Sequence, residues 1–81
     1  MMDEKLFAMM TSADYKERFK AEYIELKTRI EKLSAMLKKW RDGALEFTPS
    51  CSYELLHKQL VFMEEYMGVL KERAKIENVE V

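Results

Sequence analysis

Two groups of aromatic and cationic side chains are the residues of this sequence best suited to bind a ligand. The first group is Tyr15, Lys16 and Arg18, with Phe19 beside them. Ammonium and guanidinium groups bind phosphate oxygens, and an aromatic ring offers a flat face for a base or a cation. This group therefore predicts a site for an anionic small molecule. The alternative is that the rings pack in a core and the cations are solvated.

The second group spans a break in the sequence. It comprises Lys38, Trp40 and Arg41 on one side of the break and Thr48, Ser50 and Ser52 on the other. If the flanking segments are antiparallel helices, the end of one lies beside the start of the next, where free N–H groups favour a phosphate and Trp40 offers a face for a base. The alternative is that the cations balance the helix dipole and Trp40 packs.

The residues that usually perform catalysis form no recognisable set. His57 stands alone and is predicted to be an ordinary half-exposed helix residue. Cys51, in the predicted first turn of a helix, is either a thiol of lowered pKa or a small buried side chain that closes the loop. Glu64 and Glu65 diverge by about 100° on a helix, so they form no catalytic dyad. We therefore expect no enzymatic activity, no metal site and no cofactor.

Composition narrows the class of protein further. The chain has 81 residues, one cysteine and a net charge of -1, with a pI near 5.9. These values predict one domain in a reducing, cytoplasmic setting and no nucleic acid as partner. No apolar run approaches the roughly 20 residues that span a bilayer, so no membrane partner is expected. A core of this size is marginal, which favours self-association.

Gly43 and Pro49 divide the chain into elements that would position these groups. The pattern predicts an all-α fold: an antiparallel helical hairpin with a short N-terminal helix, assembling into a helical-bundle oligomer. Residues 1–81 form one domain, with a short helix at 3–10, a long helix at 12–42, a loop at 43–48 and a long helix at 49–76. Thr11 or Ser12 would begin the first long helix, and Thr48 would cap the second. Gly43 suits the left-handed position after a helix.

The two long helices differ in the number of apolar stripes that they carry. The first has one heptad seam: Phe19, Tyr23, Leu26, Ile30, Leu33, Leu37 and Trp40. The second has the seam Leu56, Leu60, Met63, Met67, Leu70 and Ala74, and a further stripe of Leu55, Phe62, Tyr66 and Val69. A hairpin covers only one stripe of the second helix, so the other is predicted to meet another copy of the chain or the N-terminal segment. That segment would pack across the hairpin or dock on a neighbouring subunit.

Several segments resemble a group of small phage and prophage helical-hairpin proteins related to one from crAss-like phages. They are residues 15–18, 22–27, 32–33, 43–51, 54–56 and 70–77. The resemblance covers about residues 13–79 and is most specific in the loop from Gly43 to Cys51. The layout of these proteins is similar to that of the anti-CBASS and anti-Thoeris sponges, oligomers that hold cyclic oligonucleotides or cyclic ADP-ribose signals without cleaving them. By this resemblance, the aromatic residue and lysine of the site would be Tyr15 and Lys16.

These observations lead to one functional prediction and one alternative. The chain is expected to be a non-enzymatic phage protein that forms a homo-oligomer in the host cytoplasm. It would sequester a nucleotide immune signal of the cyclic oligonucleotide or cyclic ADP-ribose type at subunit junctions and so block anti-phage defence. The alternative is a protein–protein interaction module, an adaptor or an inhibitor of a host protein, that binds through an apolar helix face. The seams leave the number of subunits open, because neither contains a polar residue that fixes a register.

Overall fold

The computed structural model describes residues 4–11 and 13–81, and within them the fold is all-helical. The helices are α1 (Glu4–Met10), α2 (Tyr15–Arg41) and α3 (Tyr53–Ile76), and the described residues contain no strand. Phe19, near the start of α2, lies beside Arg73, near the end of α3, and Trp40 lies beside Tyr53. The two long helices are therefore antiparallel. The predicted all-α class is confirmed.

The first long helix begins later than predicted. Its N-cap is Asp14, whose carboxylate accepts a hydrogen bond from the Lys16 backbone N–H at 2.9 Å. The Thr11 hydroxyl instead donates to the Phe7 and Ala8 carbonyls at the end of α1. Ser12, the other predicted cap, lies outside the described residues, as does residue 3 of the predicted short helix. The predicted start at residue 12 was wrong because Thr11 completes α1 and aspartate is an equally good cap.

The end of α2 agrees with the sequence pattern. Arg41 is the last helical residue, and Gly43 has a φ of 72°, the left-handed conformation that glycine adopts without strain. The Ala44 N–H donates to the Lys39 carbonyl at 2.8 Å. This bond belongs to the Schellman motif, which satisfies carbonyls that the helix leaves unpaired. The predicted role of Gly43 is confirmed.

The second long helix also begins later than predicted, at Tyr53 rather than residue 49. Its N-cap is Ser52, whose hydroxyl accepts from the Leu55 N–H at 3.1 Å. Thr48 and Pro49 remain in the loop, which covers residues 42–52. Both Thr48 and Ser52 are residue types that cap helices, so local preference does not separate them. In the structure Thr48 and Pro49 line a concavity together with Trp40, and the Ser52 hydroxyl makes the capping hydrogen bond.

Buried side chains from the two predicted inner seams form the core. The core cluster consists of Phe19, Leu26, Met67, Leu70, Ala74 and Val79, with Tyr23, Ile30 and Met63 packed against it. Val79 belongs to neither seam. It is buried because Asn78 takes a φ of 56° and turns the chain back, so that the Val79 N–H donates to the Ala74 carbonyl at 2.9 Å.

The short helix α1 lies beside α2 and, among the described residues, its backbone does not approach α3. Of the two arrangements predicted for this segment, packing across both long helices is therefore wrong, and docking on a neighbouring subunit stays a prediction. The reason lies in the short connection, since only residues 11–14 separate α1 from α2. The second apolar stripe of α3 is consequently left uncovered within one chain. No helix of the described residues is long and apolar enough to span a membrane.

Candidate functional site

Three rings line the loop end of the hairpin, where α2 meets α3. Trp40 meets Tyr53 edge to face, with ring centroids 5.5 Å apart and planes at 81°. Tyr53 and His57 are four residues apart on one face of α3, and their rings are nearly parallel, 6.0 Å apart. Packing against Tyr53 therefore holds the half-buried Trp40 in place from one side. His57 is exposed rather than half-exposed, and its ring contact is with Tyr53.

A concavity of about 210 Å³ lies beside this row of rings. It is lined by Trp40, Gly43, Leu45, Phe47, Thr48 and Pro49. The left-handed turn at Gly43 directs the loop back over the end of α2, which brings Thr48 to Trp40 although they are eight residues apart. Phe47 is 59% exposed at this place. The structure therefore unites Trp40 and Thr48, two of the predicted ligand-binding residues, in one site.

The remaining predicted residues of this group, Lys38, Arg41 and Ser50, do not belong to the lining of the concavity. Lys38 and Arg41 are exposed in the last turn of α2, and neither takes part in the Arg29–Glu25 or the Arg73–Glu77 ion pair. Ser50 is exposed in the loop. The predicted use of Thr48 and Ser50 at a helix N-terminus was wrong, since α3 begins only at Tyr53.

The opposite, open end of the hairpin carries the first predicted group. Tyr15 and Lys16 are exposed in the first turn of α2, and the Lys16 ammonium donates to the Asn78 carbonyl at 3.5 Å. Arg18 is exposed. Phe19 is 4% exposed and belongs to the core, so its ring offers no face to a ligand. Two residues near this predicted site therefore have structural contacts: Lys16 binds the segment that follows α3, and Phe19 packs in the core.

Sequence reasoning missed Arg73 at this end. Its guanidinium lies 4.8 Å from the Phe19 ring centroid and donates to Glu77 at 2.8 and 3.4 Å. The hydrogen bond to Glu77 raises the pKa of Arg73. Partial desolvation opposes this shift, and the charges of Glu77 and Glu22 add to it. The four-residue spacing of Arg73 and Glu77 was the available signal. The Arg73 guanidinium is thus held by the Glu77 carboxylate and the Phe19 ring.

The outer stripe of α3, defined as Leu55, Phe62, Tyr66 and Val69, is exposed along its length. Its four side chains are between 43% and 57% exposed. An open groove of about 550 Å³ runs along it, lined also by Lys58, Gln59 and Met63. The Lys58 ammonium lies 6.0 Å from the Phe62 ring centroid. These residues were predicted to form an oligomer interface, and within one chain they are free to do so.

The isolated reactive groups have simple surroundings. Cys51 is exposed in the loop and precedes the N-cap Ser52, so it is neither in the first turn of α3 nor buried. Both predicted environments of its thiol were therefore wrong. Glu64 and Glu65 are exposed. Within residues 4–11 and 13–81, no group of three or more histidine, cysteine, aspartate or glutamate side chains is placed to hold a metal ion.

Comparison with known proteins identifies a family. A family model described as Sequestin matches residues 13–76, from just before α2 to the last residue of α3. No curated protein and no solved structure matches the chain. The matched stretch contains both long helices, the loop and every predicted ligand-binding residue, and it excludes α1. Because it covers more than half of the chain, this protein belongs to the Sequestin family.

Proposed function

We propose that this chain is a non-enzymatic phage protein that sequesters a nucleotide immune signal, of the cyclic oligonucleotide or cyclic ADP-ribose type, in the cytoplasm of the infected host. The family name denotes sequestration and supports the binding part of this proposal. Sequestration needs affinity and stoichiometric amounts of protein rather than turnover. By holding the signal, the protein would prevent host anti-phage defence from responding to it.

The observation that carries the proposal is the concavity shared by Trp40 and Thr48. Trp40 is held by Tyr53, and the exposed Phe47 supplies a second ring at the same place. Stacking of a base on an aromatic ring contributes about 1–3 kcal/mol in single-strand binding proteins. Lys38 and Arg41 are exposed in the same last turn of α2 as Trp40, and they would bind the phosphates. This combination suits a nucleotide better than an uncharged ligand.

The size of the concavity supports a site completed by a second subunit. Its volume is about 210 Å³, whereas sites that enclose a small molecule are roughly 300–1,000 Å³. One chain could therefore hold a base and part of a sugar, but it would leave the rest of a cyclic nucleotide in solvent. A neighbouring copy that covers the open side would enclose the remainder, as expected of a site at a subunit junction.

The proposal is tested by a thermal-melting screen of the full-length protein. The panel consists of cyclic dinucleotides, cyclic trinucleotides and ADP-ribose derivatives, each at about 100 μM, or roughly a hundred times a micromolar Kd. A true ligand is expected to stabilise the fold by about 2.7 kcal/mol, which raises the Tm by about 10 °C or more. The bound molecule, released by heating, should be chemically unchanged. Absence of a shift with every member would contradict the proposal.

Variants at each end then locate the ligand. Phe47→Ala and Arg41→Glu test the loop end, and Tyr15→Ala and Lys16→Glu test the open end. Lys32→Glu, an exposed change in the middle of α2, is the matched control. We expect the loop-end changes to weaken binding at least tenfold, because they remove a stacking ring or reverse a phosphate-binding charge, and the control to leave it unchanged. If none of the four changes affects binding, neither group is the site.

A second candidate function is a protein–protein interaction module, and the exposed outer stripe of α3 favours it. An adaptor or inhibitor would bind one host protein in a fixed ratio through Phe62 and Tyr66. Replacing both with glutamate should then abolish capture of that protein while the helical circular dichroism spectrum is retained. Capture that survives both changes would exclude the stripe as the binding face.

A further inference from the structure

The outer stripe of α3 has an internal symmetry in its spacing. Leu55 lies seven residues before Phe62, and Val69 lies seven residues after it. Seven residues are about two helical turns, or about 10.5 Å along the axis. A two-fold axis beside Phe62 and perpendicular to α3 would therefore place Leu55 of one copy against Val69 of another. Both are half-exposed apolar side chains. The stripe is thus complementary to its own antiparallel copy.

From this spacing we infer that a second copy of the chain packs antiparallel on the outer stripe, with α3 against α3 and the two-fold axis beside Phe62. An interface of this kind is isologous, because both copies contribute the same surface. This contact between two copies is independent of the identity of any ligand.

The charged residues at the edge of the stripe agree with this register. Lys58 precedes Phe62 by four residues and Glu65 follows it by three. On a helical wheel they lie about 20° apart, on the same flank of the stripe. Across an antiparallel two-fold axis at Phe62, Lys58 of one copy and Glu65 of the other differ by about 1.5 Å along the helix axis. The two-fold symmetry gives two such pairs in the dimer, because Lys58 of each copy faces Glu65 of the other.

The groove beside Phe62 also has an occupant in this arrangement. Its volume is about 550 Å³, and its lining includes Leu55, Met63 and Tyr66. Because the axis passes beside Phe62, the side chain that enters the groove is Phe62 of the second copy. Each ring would fill the groove of the other copy, as a knob fills a hole in a coiled coil. Lys58, already 6.0 Å from the Phe62 ring, would stand at the rim.

A parallel arrangement leaves the same charges without partners of opposite sign. Its two-fold axis runs along the helices, so the flank with Lys58 and Glu65 faces the opposite flank of the second copy, which carries Gln59 and Tyr66. The N-terminal helix of the same chain is no competitor for the stripe, because α1 lies beside α2. The antiparallel pairing alone therefore satisfies both the apolar spacing and the rim charges.

A charge-swap experiment tests both the contact and its direction. The full-length protein is expected to sediment as two copies of the 9.7 kDa chain. Lys58→Glu and Glu65→Lys should each weaken the dimer roughly tenfold, because each change turns two attractive rim pairs into repulsive ones. The double variant should regain wild-type affinity, since the pairs are restored with reversed sign. Failure of the double variant to recover would overturn the antiparallel register.

Disulfide trapping provides an independent readout of the register. In a Cys51→Ser background, an oxidised mixture of the Leu55→Cys and Val69→Cys chains should form a cross-linked heterodimer. Either chain alone should not, since the two copies of position 55 are about 21 Å apart along the axis. Cross-linking of Leu55→Cys with itself would indicate parallel packing and would overturn the inference.

Two glutamate variants test the contact itself. Phe62→Glu should give a folded monomer, because Phe62 is outside the core. Ile24→Glu, at an exposed apolar position of α2, should remain a dimer. A wild-type chain that stays monomeric at 100 μM would overturn the inference, whichever protein then bound the stripe. The nucleotide screen reports on ligand binding separately, so failure of the dimer and failure of sequestration are distinguishable.

Discussion

At the scale of single residues, the two glycines occupy opposite backbone settings. Gly43 follows α2 with a φ of 72°, whereas Gly68 lies in the middle of α3 in ordinary helical conformation. A Cβ atom added at either position would meet no atom from elsewhere in the chain within 4 Å. Steric contact therefore does not distinguish the two positions, and the backbone conformation alone decides what an added methyl group does.

Alanine substitution at the two glycines is predicted to change stability in opposite directions. Gly43→Ala should destabilise the fold by about 1–2 kcal/mol, because an L-residue is strained in the left-handed region. Gly68→Ala should stabilise it by about 0.5–1 kcal/mol, because glycine has the lower helix propensity. Urea unfolding monitored by circular dichroism measures both. Equal effects of the same sign would contradict the assigned turn at Gly43.

At the scale of elements, the start of α3 depends on one hydroxyl group. Ser52 caps the helix, and Thr48, which precedes a proline and has the same capping chemistry, does not. Local capping preference does not separate the two residues. In the folded chain Thr48 and Pro49 line the concavity with Trp40, and α3 begins after them at Tyr53.

Removal of each hydroxyl group in turn should show that Ser52 caps α3 and that Thr48 does not. Ser52→Ala is predicted to cost about 1 kcal/mol of folding free energy, since the Leu55 N–H loses its acceptor. Thr48→Ala should change the stability by less than about 0.5 kcal/mol, as expected for an exposed loop position. Urea midpoints of both variants, compared with wild type, provide the measurement. A larger loss at Thr48 would place the helix start four residues earlier.

The two faces of α3 show how much about a helix the spacing of its apolar residues predicts. The seam of Leu60, Met67 and Leu70 is buried, and the outer stripe is exposed, as the spacing predicted. The bounds of the helices were less predictable, since several hydroxyl and carboxylate side chains stand near each start. Val79 was not predictable from periodicity at all, because it enters the core through a turn at Asn78.

At the scale of the whole molecule, the elongated, thin shape limits how much apolar surface one chain buries. The chain extends over 43 × 27 × 17 Å, and a two-helix layer of this kind buries only one face of each long helix. The aromatic and aliphatic side chains of the outer stripe then remain in water. A second copy on this stripe would add the apolar contact that one hairpin lacks.

Stability is accordingly predicted to depend on protein concentration. The Tm of the wild-type chain should rise as the concentration increases from about 1 to 100 μM, because association stabilises the folded state by mass action. The Tm of Phe62→Glu should be independent of concentration, and Ile24→Glu, on α2, should behave as the wild type does. Differential scanning fluorimetry or calorimetry provides the comparison. A wild-type Tm that is constant over this range would contradict coupling between folding and association.

The helical class, the inner seams and the end of α2 before Gly43 follow from the sequence alone, because they depend on periodicity and on local backbone preference. The remaining features arise from packing in the folded chain. There Thr48 lines one concavity with Trp40, Phe19 lies in the core rather than in a binding site, and α1 lies away from the outer stripe. These outcomes depend on which surfaces meet when the chain packs, and residues distant in sequence compete for those surfaces.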